Sequence, residues 1–134
     1  MQEFCAWEAG FYKSMQLGIY ISVPFCRSKC TYCNFASGVF SAAQMGRYVE
    51  RISEDVRALR GYVAQLGAKI PEVADSIYLG GGTPSLLPPE ELEKLFSTLR
   101  HEFKITPAAE ITVECAPGTL TDDIIQTLAA CSDK

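Results

Sequence analysis

Three strand-and-helix units can be recognised in the hydrophobic pattern of the chain. In the first unit Leu17–Val23 alternates, with apolar side chains at the odd positions, which predicts a half-buried β-strand that ends at Pro24. A loop then runs through Gly38, and Ser41–Gln44 has the pattern of a helical capping box. Beyond it, apolar residues recur at helical spacing over about six turns, which predicts a long amphipathic helix. These residues are Met45, Tyr48, Val49, Ile52, Val56, Leu59, Val63 and Leu66.

The second and third units repeat this order. Ser76–Leu79 is predicted to be a strand that leads into the glycine-rich run Gly80–Ser85. Pro88–Glu91 then opens a helix, with proline early and acidic residues in its first turn. Glu110–Cys115 is predicted to be the third strand, and Thr121 is predicted to cap the final helix. The apolar positions of these helices are Leu92, Leu95, Phe96, Leu99 and Phe103 in the first and Ile124, Ile125 and Leu128 in the second.

This alternation of strands and helices sets the fold class. It predicts an α/β fold with a parallel sheet and right-handed crossovers. Three β/α units are about half of a closed α/β barrel. We therefore predict a parallel (β/α) partial TIM-like barrel, of which the chain holds about the first three units as the N-terminal portion of a longer protein.

Composition and charge exclude several classes of protein. The chain has 134 residues, of which 48% are hydrophobic and 21% charged, which is usual for globular proteins and excludes disorder. Its formal net charge of −4 and the lack of a basic block argue against nucleic-acid binding. No apolar run reaches the roughly 18 residues of a membrane span, and the N-terminus lacks the features of a signal peptide. These observations predict a cytoplasmic protein.

The six cysteines are distributed unevenly. Cys26, Cys30 and Cys33 lie within eight residues, whereas the others, Cys5, Cys115 and Cys131, are scattered and are expected to be small hydrophobic residues. Without an export signal a disulfide framework is not expected, so the cluster indicates a metal or iron–sulfur site. Three thiolates can hold an iron–sulfur cluster and leave one iron open. Zinc is the alternative, but structural zinc requires four protein ligands. The single histidine, His101, is a poor candidate for the fourth because it is predicted to lie on the outer part of a helix.

Each predicted strand is followed by residues with possible chemistry. The cysteine cluster follows the first strand, the glycine run Gly80–Gly82 follows the second, and Glu114 ends the third. In parallel α/β folds these strand ends lie on one face, where ligands bind, so the three segments are expected to converge on one pocket. Taken alone, the glycine run could be only a tight turn, and Glu114 could be only a solvated side chain.

The spacing CxxxCxxC, with the aromatic Tyr32 before the last cysteine, resembles the radical S-adenosylmethionine (SAM) superfamily. The resemblance implies that the three cysteines hold a 4Fe–4S cluster whose open iron binds the amino and carboxylate groups of SAM. It also implies a division of the chain into an N-terminal extension, residues 1–16, with Met15 as an alternative natural start, and the N-terminal half of the core domain, residues 17–134. The side chains or backbone groups implied to lie against SAM or the cluster are those of Tyr20, Tyr32, Gly81, Gly82, Thr83 and Glu114. A β-branched residue at Gly81 is accordingly expected to enter the space of SAM and leave the cluster intact.

Residues 18–119 resemble one branch of the superfamily, the oxygen-independent coproporphyrinogen III oxidase-like proteins. Oxidases of this branch carry a further cysteine where this chain has Phe35 and a histidine where it has Ser22. Both departures resemble the heme chaperones (HemW), which implies heme as cargo and a heme-acceptor protein as partner. The alternative is an oxidase that decarboxylates the propionates of a porphyrinogen, and the electron donor is not identified in either case. Ala116 stands where relatives commonly have asparagine and cannot make the hydrogen bonds of that side chain, so the resemblance does not predict the detail of the third loop.

Overall fold

The computed structural model describes residues 16–132, and a three-stranded parallel sheet lies at its centre. The strands are β1 (Leu17–Val23), β2 (Val73–Gly81) and β3 (Lys104–Val113), in the order β1-β2-β3. The helices are α1 (Ala42–Gln65), α2 (Pro89–Glu102) and α3 (Asp122–Ser132), and a 3₁₀ turn spans Pro84–Leu86. The predicted α/β fold with parallel strands is confirmed. None of the helices in this part of the chain is long and apolar enough to cross a membrane.

The helices cover one face of the sheet. On that face Ile21, Ile77 and Leu79 are buried beneath a core to which α2 contributes more of the large, fully buried side chains than any other element. The α2 residues in this core are Leu92, Leu95, Phe96 and Leu99. Burial of side chains of this size stabilises the fold by about 1.5–3 kcal/mol each. The side chains that alternate with them therefore point to the opposite face, which no helix of residues 16–132 covers.

The register places a row of hydroxyl-bearing side chains on this opposite face. Tyr20 of β1 lies opposite Tyr78 of β2, which lies opposite Thr112 of β3. The next row toward the carboxyl ends pairs Ser22 with Gly80. The alternation predicted for β1 is thus confirmed, and its polar positions form a surface that leads toward the loops at the carboxyl ends of the strands.

The strands differ from prediction at their ends. β2 spans Val73–Gly81 rather than Ser76–Leu79, so the first two glycines of the run belong to the strand, and β3 begins at Lys104 rather than Glu110. The early part of β3 is irregular, because its register with β2 shifts between Ala74 and Ser76. Pro107 lies in this stretch and has no N–H for a sheet ladder, which explains why the sequence pattern did not indicate a strand. β3 also ends two residues earlier than predicted, at Val113.

The predicted helix starts are confirmed. The Gln44 amide donates to Ser41 Oγ at 3.4 Å and Gln44 Oε1 accepts from the Ser41 amide at 2.9 Å, which completes the capping box. In α3 the Ile124 amide donates to Thr121 Oγ1 at 3.4 Å. Two residues predicted to lie on the apolar faces of the helices are exposed instead. Leu66 is 67% exposed beyond the end of α1, and Ile125 is 50% exposed on the outer side of α3.

Candidate functional site

The loops that follow β1 and β2 are joined by backbone hydrogen bonds. The Gly82 amide donates to Val23 O at 2.8 Å, and the Thr83 amide donates to Phe25 O at 2.6 Å. The segment after β2 therefore lies directly against the start of the cysteine loop, residues 24–38, which carries Cys26, Cys30 and Cys33. The expected meeting of these two loops is confirmed by this contact.

Backbone hydrogen bonds hold the two ends of the cysteine loop together. Phe25 and Gly38 form an isolated bridge, with the Cys26 amide donating to Gly38 O at 2.8 Å and the Gly38 amide donating to Pro24 O at 2.9 Å. The Phe25 ring is buried and makes edge contacts with Phe40 and Tyr48, at centroid distances of 5.4 and 5.1 Å. These contacts fix where the loop leaves the sheet, so the position of Cys26 is set by the core.

The three thiols of the loop form no disulfide and do not lie close enough together to share a metal ion. Cys30 is exposed, and Cys26 and Cys33 are half-buried. Within residues 16–132 no three His, Cys, Asp or Glu side chains lie close enough together to hold a metal ion. Between its anchored ends the loop has only turns and bends, so no helix or strand opposes its closure around a metal. Three free thiols on one closed loop are a donor set that fits an iron–sulfur cluster.

Tyr32 lies beside the second thiol of this loop. It is 85% exposed. A hydrogen bond to Cys30, followed by the negative charge that Cys30 carries when ionised, raises the pKa of Tyr32 above its usual value. Across the same loop, the Lys29 ammonium donates to Phe35 O and to Ser37 Oγ. The predicted aromatic neighbour of the cysteines is therefore at the loop surface, in contact with one of them.

Gly81 at the end of β2 and Gly82 after it leave no room for a side chain beside the neighbouring segments of the chain. A Cβ at Gly82 would lie 2.6 Å from Phe25 O and 2.8 Å from Val23 O, both backbone atoms. Gly81 has a φ of +103°, which favours glycine, and a Cβ there would lie 2.6 Å from Ser22 Oγ. A side chain at Gly81 would therefore meet Ser22 of β1, so the predicted weakening of SAM binding by a β-branched residue there would be accompanied by strain between the two strands.

Glu114 joins the ends of β2 and β3. Its amide donates to Leu79 O at 2.9 Å, which adds one bond to the sheet ladder. Its carboxylate accepts from the Gly81 amide at 3.1 Å through Oε2 and from the Tyr78 hydroxyl at 2.7 Å through Oε1. The structure thus brings together Glu114 and Gly81, two of the residues singled out in the sequence.

Tyr78 is a residue of the site that the sequence analysis missed. Its ring is stacked on that of Tyr20, with centroids 5.6 Å apart and an interplanar angle of 27°. The hydrogen bond to Glu114, followed by burial and by the carboxylate's charge, raises the pKa of Tyr78, so its hydroxyl remains a donor at physiological pH. Tyr78 could have been identified from the strand pattern, because it lies on the uncovered face of β2 in register with Tyr20.

The loop after β3 is held by two buried hydroxyls. Ser85 Oγ and Thr119 Oγ1 are hydrogen-bonded to each other, and both side chains are buried. The Ala116 amide donates to Ser85 Oγ at 3.4 Å, and Thr119 Oγ1 donates to Ala116 O at 2.7 Å. These bonds fix the backbone conformation at Ala116.

Replacing Ser85 with alanine is expected to lower the free energy of unfolding by about 1–2 kcal/mol, because it leaves the buried Thr119 hydroxyl and the Ala116 amide with fewer partners. Urea unfolding of the protein measures this. Ser97→Ala is the matched control, since Ser97 is exposed on α2 and alanine favours a helix. Equal stability of the two variants would contradict the role of the hydroxyl pair.

The remaining cysteines differ from one another. Cys131 is buried, as expected of a small hydrophobic residue, and burial raises the pKa of its thiol. Cys115 is exposed, so that expectation was wrong for it, because β3 ends before it. Cys5 lies outside the described residues. His101 is exposed, as its place on the outer part of the helix predicted. Its Nδ1 lies 2.9 Å from a carboxylate oxygen of Glu102.

Comparisons with known proteins agree with this arrangement. The sequence profile of the radical SAM superfamily matches residues 20–133. The heme chaperone HemW of Lactococcus lactis is 33% identical over 110 residues, which cover 82% of this chain and 26% of the relative. An oxygen-independent coproporphyrinogen III oxidase of Bradyrhizobium diazoefficiens is 32% identical over 127 residues, which cover 93% of this chain and 27% of the relative.

A solved structure shows the same fold. The coproporphyrinogen III oxidase HemN from Escherichia coli, described as a radical SAM enzyme, matches with a TM-score of 0.73 and 25% sequence identity. The match covers 88% of this chain and 26% of HemN, so the chain spans about a quarter of the length of the relatives it matches. The parallel strands therefore correspond to part of a TIM-like barrel, and the chain belongs to the radical SAM superfamily.

Proposed function

We propose that Cys26, Cys30 and Cys33 hold a 4Fe–4S cluster, that SAM binds beside it, and that the protein is a heme chaperone. Membership of the superfamily implies the cluster and SAM as cofactors. In this assignment residues 17–134 are the N-terminal half of a radical SAM core domain, and residues 1–16 are an extension that precedes it.

The cysteine loop suits a cluster with one open iron. Its base is fixed by the bridge between Phe25 and Gly38, while the stretch between them has no helix or strand that would prevent closure. Cys115, the other exposed thiol among residues 16–132, belongs to a different loop. A loop with three thiolates leaves one iron for an exchangeable ligand, which is the position that SAM takes in this family. When bound, the reduced cluster supplies the electron that cleaves SAM.

The segments after β2 and β3 suit the polar part of SAM. Glu114 uses one lone pair of each carboxylate oxygen for Tyr78 and Gly81, so a second pair on each oxygen is left for an amino or hydroxyl group of a ligand. Gly81, Gly82 and Thr83 lie between Glu114 and the cysteine loop and have no bulky side chain there. In the proposal Tyr20 and Tyr32 border this space from the sheet and from the loop.

The observation that carries the chaperone function is Phe35. Its ring is 56% exposed on the cysteine loop, at a position where the resemblance gives the oxidases a further cysteine. An exposed aromatic ring suits contact with a flat apolar ligand such as heme and supplies no thiol. Ser22 supports the same conclusion, because it offers no imidazole for proton transfer where the oxidases carry histidine.

The second candidate is an oxygen-independent coproporphyrinogen III oxidase. The relative from Bradyrhizobium diazoefficiens carries that name at an identity similar to that of the heme chaperone, and the fold matches HemN. In that case the protein would remove carboxyl groups from the propionates of a porphyrinogen. The two functions differ in what happens to the tetrapyrrole, since a chaperone releases it unchanged.

One pair of assays on the full-length protein separates the two candidates. Heme is added to the reconstituted protein and followed by its absorption, and apomyoglobin is then added as the acceptor. In parallel, coproporphyrinogen III is incubated anaerobically with the protein, SAM and dithionite, and the products are separated by chromatography.

We expect heme binding, transfer to apomyoglobin and no decarboxylated product. Decarboxylated porphyrinogen without stable heme binding would overturn the chaperone function and establish the oxidase. SAM binding measured on the same preparation is the control that the protein is properly loaded.

A further inference from the structure

Tyr78 connects features of the site that come from all three strands. Its ring lies against Tyr20 of β1, and its hydroxyl donates to Glu114 at the end of β3. Glu114 in turn accepts from the Gly81 amide. The result is one continuous chain of contacts across the uncovered face of the sheet, and Tyr78 is its central member.

We propose that Tyr78 is a positioning residue of the SAM site, which holds the carboxylate of Glu114 in the orientation needed both by Gly81 and by the ligand. The inference rests on the proposed function, because it takes Glu114 as a ligand-binding residue. It adds a specific role for a side chain that has no expected contact with SAM itself.

The role follows from the freedom that Glu114 would otherwise have. Its side chain is exposed just beyond the end of β3, where the terminal torsion of a glutamate is broad and the carboxylate can rotate. If the Gly81 amide were the only donor, it would hold one carboxylate oxygen, and the carboxylate could still rotate about that oxygen. The Tyr78 hydroxyl fixes the other oxygen, so that the remaining lone pairs of both oxygens keep a defined direction.

Gly80 gives an independent sign of this arrangement. A Cβ at Gly80 would lie 2.7 Å from Cε1 of Tyr78 and 3.1 Å from the carboxylate carbon of Glu114. The tyrosine ring and the carboxylate thus both lie over the backbone of Gly80. The first glycine of the run leaves room for the Tyr78–Glu114 pair, whereas the second and third leave room for β1 and the cysteine loop.

The test is Tyr78→Phe in the full-length protein loaded with its cluster. This change keeps the ring against Tyr20 and removes only the hydroxyl. We expect SAM to bind about 5-fold more weakly by calorimetry, with iron content unchanged. Tyr62→Phe is the matched control, since Tyr62 is an exposed tyrosine on α1, and it should leave SAM affinity as it is.

A double-mutant cycle separates positioning from a merely structural effect. In a Glu114→Ala background the removal of the Tyr78 hydroxyl should weaken SAM binding no further, because the group on which it acts is gone. A second readout needs no ligand: hydrogen exchange of the Gly81 amide should become faster in Tyr78→Phe. General unfolding would instead raise exchange throughout the sheet.

Each outcome is decisive for one of the two proposals. If the unchanged protein binds no SAM, the proposed function fails. If it binds SAM and Tyr78→Phe binds it equally well, or if the effects of the two substitutions are additive, the positioning role fails. Should Tyr78→Phe not fold, a structure of the unchanged protein with SAM provides the test: a Tyr78 hydroxyl turned away from Glu114 would overturn the inference, and a retained bond would support it.

Discussion

Replacing Cys30 with serine is expected to abolish the visible absorption of the cluster in the anaerobically reconstituted protein. Two thiolates cannot retain a 4Fe–4S cluster whose fourth iron has no protein ligand, so iron should fall from about four atoms per chain to near zero. Iron and labile sulfide are measured on the full-length protein after removal of unbound metal.

The chain offers a matched control for this experiment. Cys115 is also an exposed free cysteine, but it lies after β3 and outside the cysteine loop. Cys115→Ser is expected to keep both the absorption and the iron. A complete cluster spectrum in Cys30→Ser, or its loss in Cys115→Ser, would contradict the assignment of the ligands.

Replacing Gly82 with alanine is expected to lower the free energy of unfolding by about 3 kcal/mol. The new Cβ would lie 2.6 Å from Phe25 O, the acceptor of the Thr83 amide, and 2.8 Å from Val23 O, the acceptor of the Gly82 amide itself. Backbone atoms cannot move aside as a flexible side chain does. The two loops must therefore separate and both hydrogen bonds weaken.

Gly61→Ala is the matched control for this change. Gly61 lies in the interior of α1 with nothing within 4 Å of an added Cβ, so alanine there should raise stability by about 0.8–1 kcal/mol through its helix propensity. Urea unfolding of both variants measures the difference. A Gly82→Ala protein as stable as the unchanged one would show that these loops do not depend on their close approach.

Local patterns in the sequence were sufficient to predict most of the framework. The alternation of β1, the capping box at Ser41 and the cap at Thr121 each depend on residues within a few positions of one another, and all three are confirmed. The early part of β3 could not be predicted in this way. It is a strand because it pairs with Val73 and Ala74 of β2, in spite of Pro107.

The candidate site was predictable in its residue types but not in its internal contacts. Strand ends of a parallel sheet share one edge, so the meeting of Gly81 and Glu114 followed from topology. The bond between Tyr78 and Glu114 joins residues 36 positions apart and depends on side-chain orientation. The glycines are likewise required by residues far away in the sequence. The backbone of Phe25, for example, leaves no room for a Cβ at Gly82.

The central claim is that the loop of Cys26, Cys30 and Cys33 holds a 4Fe–4S cluster with one iron open to SAM. Electron paramagnetic resonance of the reduced, full-length protein, recorded with and without SAM, tests it most directly. The account predicts the signal of a reduced 4Fe–4S cluster that changes when SAM is added, because SAM binds the iron that lacks a cysteine. A protein that holds zinc without iron or labile sulfide, or a cluster signal that SAM leaves unchanged, would contradict it.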